Sequence, residues 1–167
     1  MAATQTDMEA ARDTTLDELS QAAKAGDSER IVACFAEDAE MVTMHGVYRG
    51  KDAIRAYWQW MCAGRSDANS REIGVGRLAC GDVVVREVME SGLAVGAHYE
   101  VPVMASYVFD EEGRVRRLAA YSDTWAVWQQ VAAQAHGISG AVLRGIVGLL
   151  DRVSSRGRPT PTAATPG

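Results

Sequence analysis

Gly113-Arg-Val-Arg-Arg-Leu-Ala-Ala-Tyr-Ser-Asp123 is the stretch on which the fold turns. The tight turn Phe109-Asp-Glu-Glu-Gly113 precedes it, and Thr124-Trp-Ala-Val-Trp128 follows with a helical pattern. It reads as a strand launched from a hairpin and ended by an acid. By the two-residue period of a strand, Ala119, Tyr121 and Asp123 share one face. If that face is the inner one, Asp123 stands at the rim of an apolar pocket. Lost solvation there disfavours the charged carboxylate and readies it for proton transfer. Asp is equally a favoured helix N-cap, and the helical pattern begins at the next residue. The two roles are compatible, because a capping carboxylate keeps a second oxygen.

Upstream of this stretch, strand signals run without interruption. Residues 95–109 form a long apolar alternation with Tyr99, Val101, Val103, Ala105 and Tyr107 on one face, and Pro102 marks a bulge or an edge position. Val83 to Glu90 is a second strand and Arg71 to Cys80 a third, joined by Gly81-Asp82 in the hairpin position. Gly92 lies in a connection, and Gly64 to Ser70 is a loop. Before the strands come helices. The first runs from residue 8 to Ala25 and is stopped by Gly26. Asp27 caps a short second helix carrying Ile31, Val32 and Phe35. Ala39 to Met44 is a first strand and His45 to Gly50 a loop. A third helix from Lys51 places Ile54, Trp58 and Met61 on one stripe, with Tyr57 beside them. Trp60 lies off that stripe, as a subunit contact or pocket wall would. Helices first and then consecutive strands specify an α+β fold, with helices on one face of a largely antiparallel sheet.

Downstream, the helix after Asp123 extends to about Gln134 and breaks at His136-Gly137. A further helix at 139–153 has an apolar stripe, to cover the pocket mouth or a partner subunit. Residues 1–7 and 154–167 read as disordered, the latter rich in Pro, Thr, Ala and Gly. The expected organisation is a single domain at 8–153.

Composition narrows the function. The chain has 167 residues, 47% hydrophobic and 23% charged, with a net charge of −5 and no Lys/Arg cluster. No nucleic-acid or membrane partner is expected. Three cysteines, Cys34, Cys62 and Cys80, lack CxxC spacing, as free thiols in a cytoplasmic protein do. The first residues lack a basic and apolar leader pattern. No apolar run approaches the roughly 18 residues of a membrane span. Gly74-Val-Gly76 is a GxG without its third glycine, so no dinucleotide site follows. His45, His98 and His136 share no ligand spacing, so neither a metal nor another cofactor is expected. Cys34 and Cys62 sit on apolar helical faces, where thiols are inert.

Ala25-Gly-Asp27, Phe35-Ala-Glu-Asp38-Ala, Tyr48-Arg-Gly-Lys-Asp-Ala-Ile54 and Phe109-Asp-Glu-Glu-Gly-Arg-Val115 resemble the cone-shaped α+β superfamily of nuclear transport factor two. Tyr121-Ser-Asp123 looks like the Tyr-x-Asp strand ending of its SnoaL-like polyketide cyclases and limonene-epoxide hydrolases. The resemblance covers about residues 8–134. It implies a curved sheet wrapped round a pocket by the first three helices, and a homodimer packed through the sheet. In the cyclases the single Asp at the strand end is the acid/base, a role that carries over to Asp123. In the hydrolases an Arg-x-Asp on a neighbouring strand completes the set. Here that strand reads Arg86-Glu87-Val88-Met89, so the second Asp is absent in either alignment, and Met41 and Thr43 replace the water-holding Tyr and Asn. The ketosteroid isomerase set falls on Thr43, Ala105 and Leu19 and is also absent.

The resulting expectation is an acid/base enzyme acting on a hydrophobic small molecule by ring closure. Epoxide hydrolysis and a non-catalytic binding or dimerisation module are the alternatives. The catalytic candidates are Asp123, Glu87 and Arg86. Glu87 shares a strand face with Val83, Val85 and Met89, which suits a cavity or sheet edge, or a solvated acid paired with Arg86 or Arg117. The expected substrate wall is Trp58, Tyr57, Met44, Tyr99, Val103, Tyr107 and Tyr121, joined by His98 if the register slips at Pro102.

Overall fold

The computed structural model describes residues 5–94 and 97–154. Three helices come first: α1 (Gln5–Ala25), α2 (Ser28–Ala33) and, after a hairpin, α3 (Lys51–Gly64). The strands are β1 (Phe35–Thr43), β2 (Gly46–Arg49), β3 (Arg65–Cys80), β4 (Val83–Ala94), β5 (Ala97–Phe109) and β6 (Val115–Ser122). Two helices close the chain, α4 (Thr124–Gln134) and α5 (Gly137–Ser154). Among the described residues the strands form one curled, unclosed sheet in the order β2-β1-β6-β5-β4-β3. Only β1 and β6 run parallel. The α+β architecture read from the sequence is therefore the one observed.

Several boundaries differ from the sequence reading. Phe35 begins β1 instead of ending the second helix, because α2 stops at Ala33. The expected loop at His45 to Gly50 contains β2, which pairs Met41 with Tyr48. The expected loop at Gly64 to Ser70 is the start of β3, and Gly92 lies inside β4 opposite Tyr99. In these segments polar and glycine-rich sequence is held extended by ladder hydrogen bonds to a neighbour, a tertiary term that outweighs local preference. Of the segments expected to be disordered, 1–7 and 154–167, residues 5–7 instead open α1 and Ser154 ends α5, and the rest lie outside the described residues.

The core lies between the helices and one face of the sheet, the inner face. Phe35, Leu16, Ile31, Met41 and Ile54 are fully buried there. Each contributes about 1.5–3 kcal/mol of apolar burial. Met41, Leu118, Tyr107 and Val84 form one inner row across four strands. The first helix is anchored at both hairpin turns. Arg12, only 7% exposed, donates to the Gly81 carbonyl and lies over the Phe109 ring. Thr15 donates to the Gly113 carbonyl at 2.8 Å. At Gly113 the chain takes φ +76°, and a Cβ there would sit 2.8 Å from that of Ala11.

Pro102 marks no bulge: the β4–β5 register runs unbroken through Met89↔Pro102. It stands where β6 has ended, on the edge of β5 thereby uncovered. Side chains of α4 cover the rest of that edge. The backbone N–H groups of His98 and Glu100 donate to Gln134 Oε1 and Gln130 Oε1, both at 2.9 Å. The amide groups of the same glutamines donate back to the His98 and Glu100 carbonyls at 2.6 and 2.8 Å. Positions 98, 100 and 102 point the same way along the strand. Two need a donor satisfied and the third, a proline, has none. The last helix packs on α4, with Val147 buried and Val142, Ile146, Leu149 and Leu150 exposed.

Replacing Gln130 and Gln134 together by Ala removes four hydrogen bonds from an edge that water can reach. The expected loss is about 2 kcal/mol, at the low end of the net worth of four such bonds. Urea unfolding of the double variant against the parent chain measures it.

Candidate functional site

The β4, β5 and β6 registers align Glu87, Met104 and Tyr121 in one row. That row faces away from the helices. Its inner counterpart is Val88, Val103 and Ser122. The inner residues of β6 are thus Leu118, Ala120 and Ser122, and Tyr121 is turned outward, 61% exposed. The strand face that Ala119 and Tyr121 share is therefore the outer one and not the inner one. The parallel pairing of Met41 with Leu118 places the larger aliphatic inside, and Tyr121 follows by alternation.

On the outer side the row opens into a cleft of about 420 Å³. Glu87 and Asp123 supply its two carboxylates, and Pro102, Val103, Met104, Tyr121 and Ser122 complete the lining. Asp123 has left the strand. It is the N-cap of α4, with Oδ1 accepting from the Ala126 N–H at 3.0 Å. The carboxylate is exposed, not enclosed, and Trp128 is itself 44% exposed. The cap foreseen for Asp123 is observed, but its carboxylate stands at an open outer cleft and not at the rim of an inner apolar pocket. Two strand spacings separate the backbones carrying Glu87 and Asp123, about 10 Å. A bound molecule, not a shared proton, would join the two acids. Such a pair can take a proton at one end of a ligand and return one at the other.

Arg86 is on the inner face, apart from this cleft. Its Nη1 donates to Ser20 Oγ at 3.1 Å, and its Nε lies 3.3 Å from Glu72 Oε1 without the alignment of a hydrogen bond. Tyr107 is beside it, its hydroxyl pushed up by burial and drawn back by the Arg86 guanidinium. Tyr99 donates to Glu90 Oε1 at 3.1 Å. Arg117 pairs with Glu40, so neither arginine expected beside Glu87 is its partner.

The remaining wall candidates are elsewhere. Tyr57 is buried against Tyr48, with ring centroids 4.7 Å apart. Trp58 packs on the main core with its indole N–H buried and unpartnered. Met44 accepts the Thr124 hydroxyl at its sulfur. Because the β5 register does not slip, His98 stays on the exposed face. Trp60 is 58% exposed and meets His45 edge-on. The sequence reading passed over Pro102, Met104 and Ser122 as lining residues. Alternation from Glu87 through the β4–β5 pairing identifies Met104, but only once the register is known. Burial raises the Cys34 thiol to about 11, which leaves it protonated at neutral pH. Among the described residues no group of His, Cys, Asp and Glu could hold a metal, and no helix is long and apolar enough to cross a membrane.

The SnoaL-like domain profile matches residues 16–118. No curated protein matches the sequence. Solved structures do. A protein assigned as a SnoaL-like polyketide cyclase from Shewanella denitrificans superposes with a TM-score of 0.66 at 15% identity, over 74% of this chain and 98% of its own. An LEH-like epoxide hydrolase of M. tuberculosis gives 0.62 at 15% identity, over 86% and 97%. The BvnE pinacolase from Penicillium brevicompactum gives 0.66 at 13% identity, over 80% and 97%. At these identities the likeness is one of fold.

The cap at Asp123 has a measurable stability. Asp123→Ala is expected to lose about 1 kcal/mol and Asp123→Asn a few tenths, since Asn accepts the same N–H. Thermal and urea unfolding of the two variants separate them.

Proposed function

Because the chain belongs to the SnoaL-like domain family and carries two carboxylates in one largely apolar cleft, we propose that it is an acid/base enzyme acting on a hydrophobic small molecule, most simply a ring-closing one. The observation that carries this reading is the joint placement of Asp123 and Glu87 around the 420 Å³ cleft. The Asp123 oxygen not used in capping takes a proton from a hydroxyl, or from a carbon beside a carbonyl. The resulting nucleophile closes on an epoxide or enone held along Met104 and Tyr121. Glu87, at the other side of the cleft, is placed to pass a proton to the oxygen that gains charge. Bond formation within one molecule requires the wall to hold reacting atoms in line, and an apolar strand row suits that.

The same two acids suit activation of a water, so epoxide hydrolysis is the second reading. Against it, Arg86 faces inward, and the acid of an Arg-x-Asp set falls on Val88 or Met89, neither of which is an acid. We also propose a two-fold homodimer through the outer face of the sheet. Its support is the apolar character of that uncovered face: Met104, Tyr121, Leu78 and Val47 are all about half exposed or more. A second copy there would enclose the cleft and exclude water from it.

Asp123→Asn should retain the fold and lower turnover roughly 10²–10⁴-fold, the usual worth of a positioned acid/base. Single-turnover assays on a panel of hydroxy-enones and hydroxy-epoxides, with product analysis, read this. Rates equal to the parent chain's would remove Asp123 from the mechanism, cyclic products support ring closure, and diols support hydrolysis. For assembly, light scattering should give twice the monomer mass, falling to the monomer in a Met104→Glu/Tyr121→Glu chain. A monomer at every concentration refutes the dimer.

A further inference from the structure

The edge strand β3 breaks register at one place. Glu72 pairs with Val88 and Arg77 with Arg86, so four residues, Ile73 to Gly76, stand against the single residue Glu87. Gly74 (φ +56°) and Gly76 (φ +65°) both take the left-handed backbone that glycine allows at little cost. The Gly74-Val-Gly76 motif, which leads to no nucleotide site, thus lies in an extended bulge built opposite one acid.

The bulge fits that acid closely. A Cβ placed on Gly74 would lie 2.7 Å from Glu87 Cδ and 3.1 Å from its Oε1. The carboxylate occupies the space where a side chain at position 74 would be. Gly81 has a similar backbone angle, φ +60°, and a Cβ there would meet nothing within 4 Å. Glu87 is half-buried, and among the described residues it makes no hydrogen bond or ion pair. A carboxylate without a polar tether keeps its rotamer only by contact.

We propose that Gly74 is a positioning residue: the Gly74-Val75-Gly76 bulge is a seat that sets the Glu87 carboxylate at the wall of the cleft it shares with Asp123. The position requires glycine because of Glu87, not because of its backbone angle alone. Any larger side chain displaces the acid from this seat while leaving the sheet paired on either side. The catalytic meaning of the seat rests on the acid/base reading of the cleft; the seat itself does not.

The test uses the full chain without substrate. The side-chain ¹³C carboxyl resonance of Glu87 is assigned by its loss in Glu87→Gln. In Gly74→Ala that resonance should move, and in Gly81→Ala, which imposes the same backbone cost, it should not. An unmoved resonance in Gly74→Ala, or an equal shift in Gly81→Ala, overturns the seat. Should Gly74→Ala not fold, the Gly74→Ala/Glu87→Ala chain should, since the colliding group is gone. A double variant that also stays unfolded overturns the proposal. These outcomes are independent of whether Asp123→Asn is active, so failure of the seat and failure of the acid/base reading are told apart. Where both hold, Gly74→Ala should lower kcat as Glu87→Gln does, by roughly 10²-fold, the scale of a small misplacement, with KM little changed.

Discussion

Strand β5 is paired on both sides from Val103 to Val108, and that double pairing governs the rest of the molecule. Side chains alternate with a period of two, so a slip of one residue would exchange the faces of the whole strand. Val101, Val103 and Ala105 would go to solvent, and Met104 would enter the core. Burial of the inner set forbids that. The same register carries Glu87 and Tyr121 to the outer side and Arg86 and Tyr107 to the inner one. The separation of the two polar groups, cleft outside and guanidinium–phenol pair inside, is therefore a consequence of core packing.

The first half of β5 has a different neighbour. Where β6 ends, the chain turns at Asp123 into α4, and two glutamines of that helix take over the edge. An open strand edge is a template for unwanted pairing, and a helix laid across it removes the hazard. Asp123 thus stands at a junction between three things: the end of a strand, the start of the helix that guards the edge, and the cleft. Its cap bond fixes one oxygen and orients the other.

Polar groups on the inner face are tied to α1. Arg12 reaches the Gly81 turn, Arg77 pairs with Asp13, and Arg86 reaches Ser20. Burying a guanidinium is costly unless its donors are met; each of these has one acceptor on an element distant in sequence, while Nε of Arg12 and of Arg86 is buried without a hydrogen bond. They register the first helix against β3, β4 and the turn between them. The cost is accepted where the apolar contacts of Leu16 and Leu19 with the core already hold the helix in place.

Much was legible in the amino-acid order alone. Helix-then-strand succession, the glycine stops, the hairpin turns at Gly81 and Gly113, and the capping of α4 by Asp123 are local signals, each carried by a few adjacent residues. The alternation of β5 told correctly which of its residues share a face. What local signals lack is a reference for inside and outside. The stretch from Gly113 to Asp123 places Tyr121 opposite Leu118 and Ala120 in alternation, but only the pairing of Leu118 with Met41 decides which set is buried. The extended structure of Gly64 to Ser70 and the β2 hairpin likewise depend on partners far along the chain. The clearest case is Gly74-Val75-Gly76, three residues that mean little until β4 lies beside them. The sequence determined the elements and the chemistry available. The tertiary structure decided which acids share a cleft, because the face a side chain takes is set by strand pairing between distant segments and not by its own neighbours.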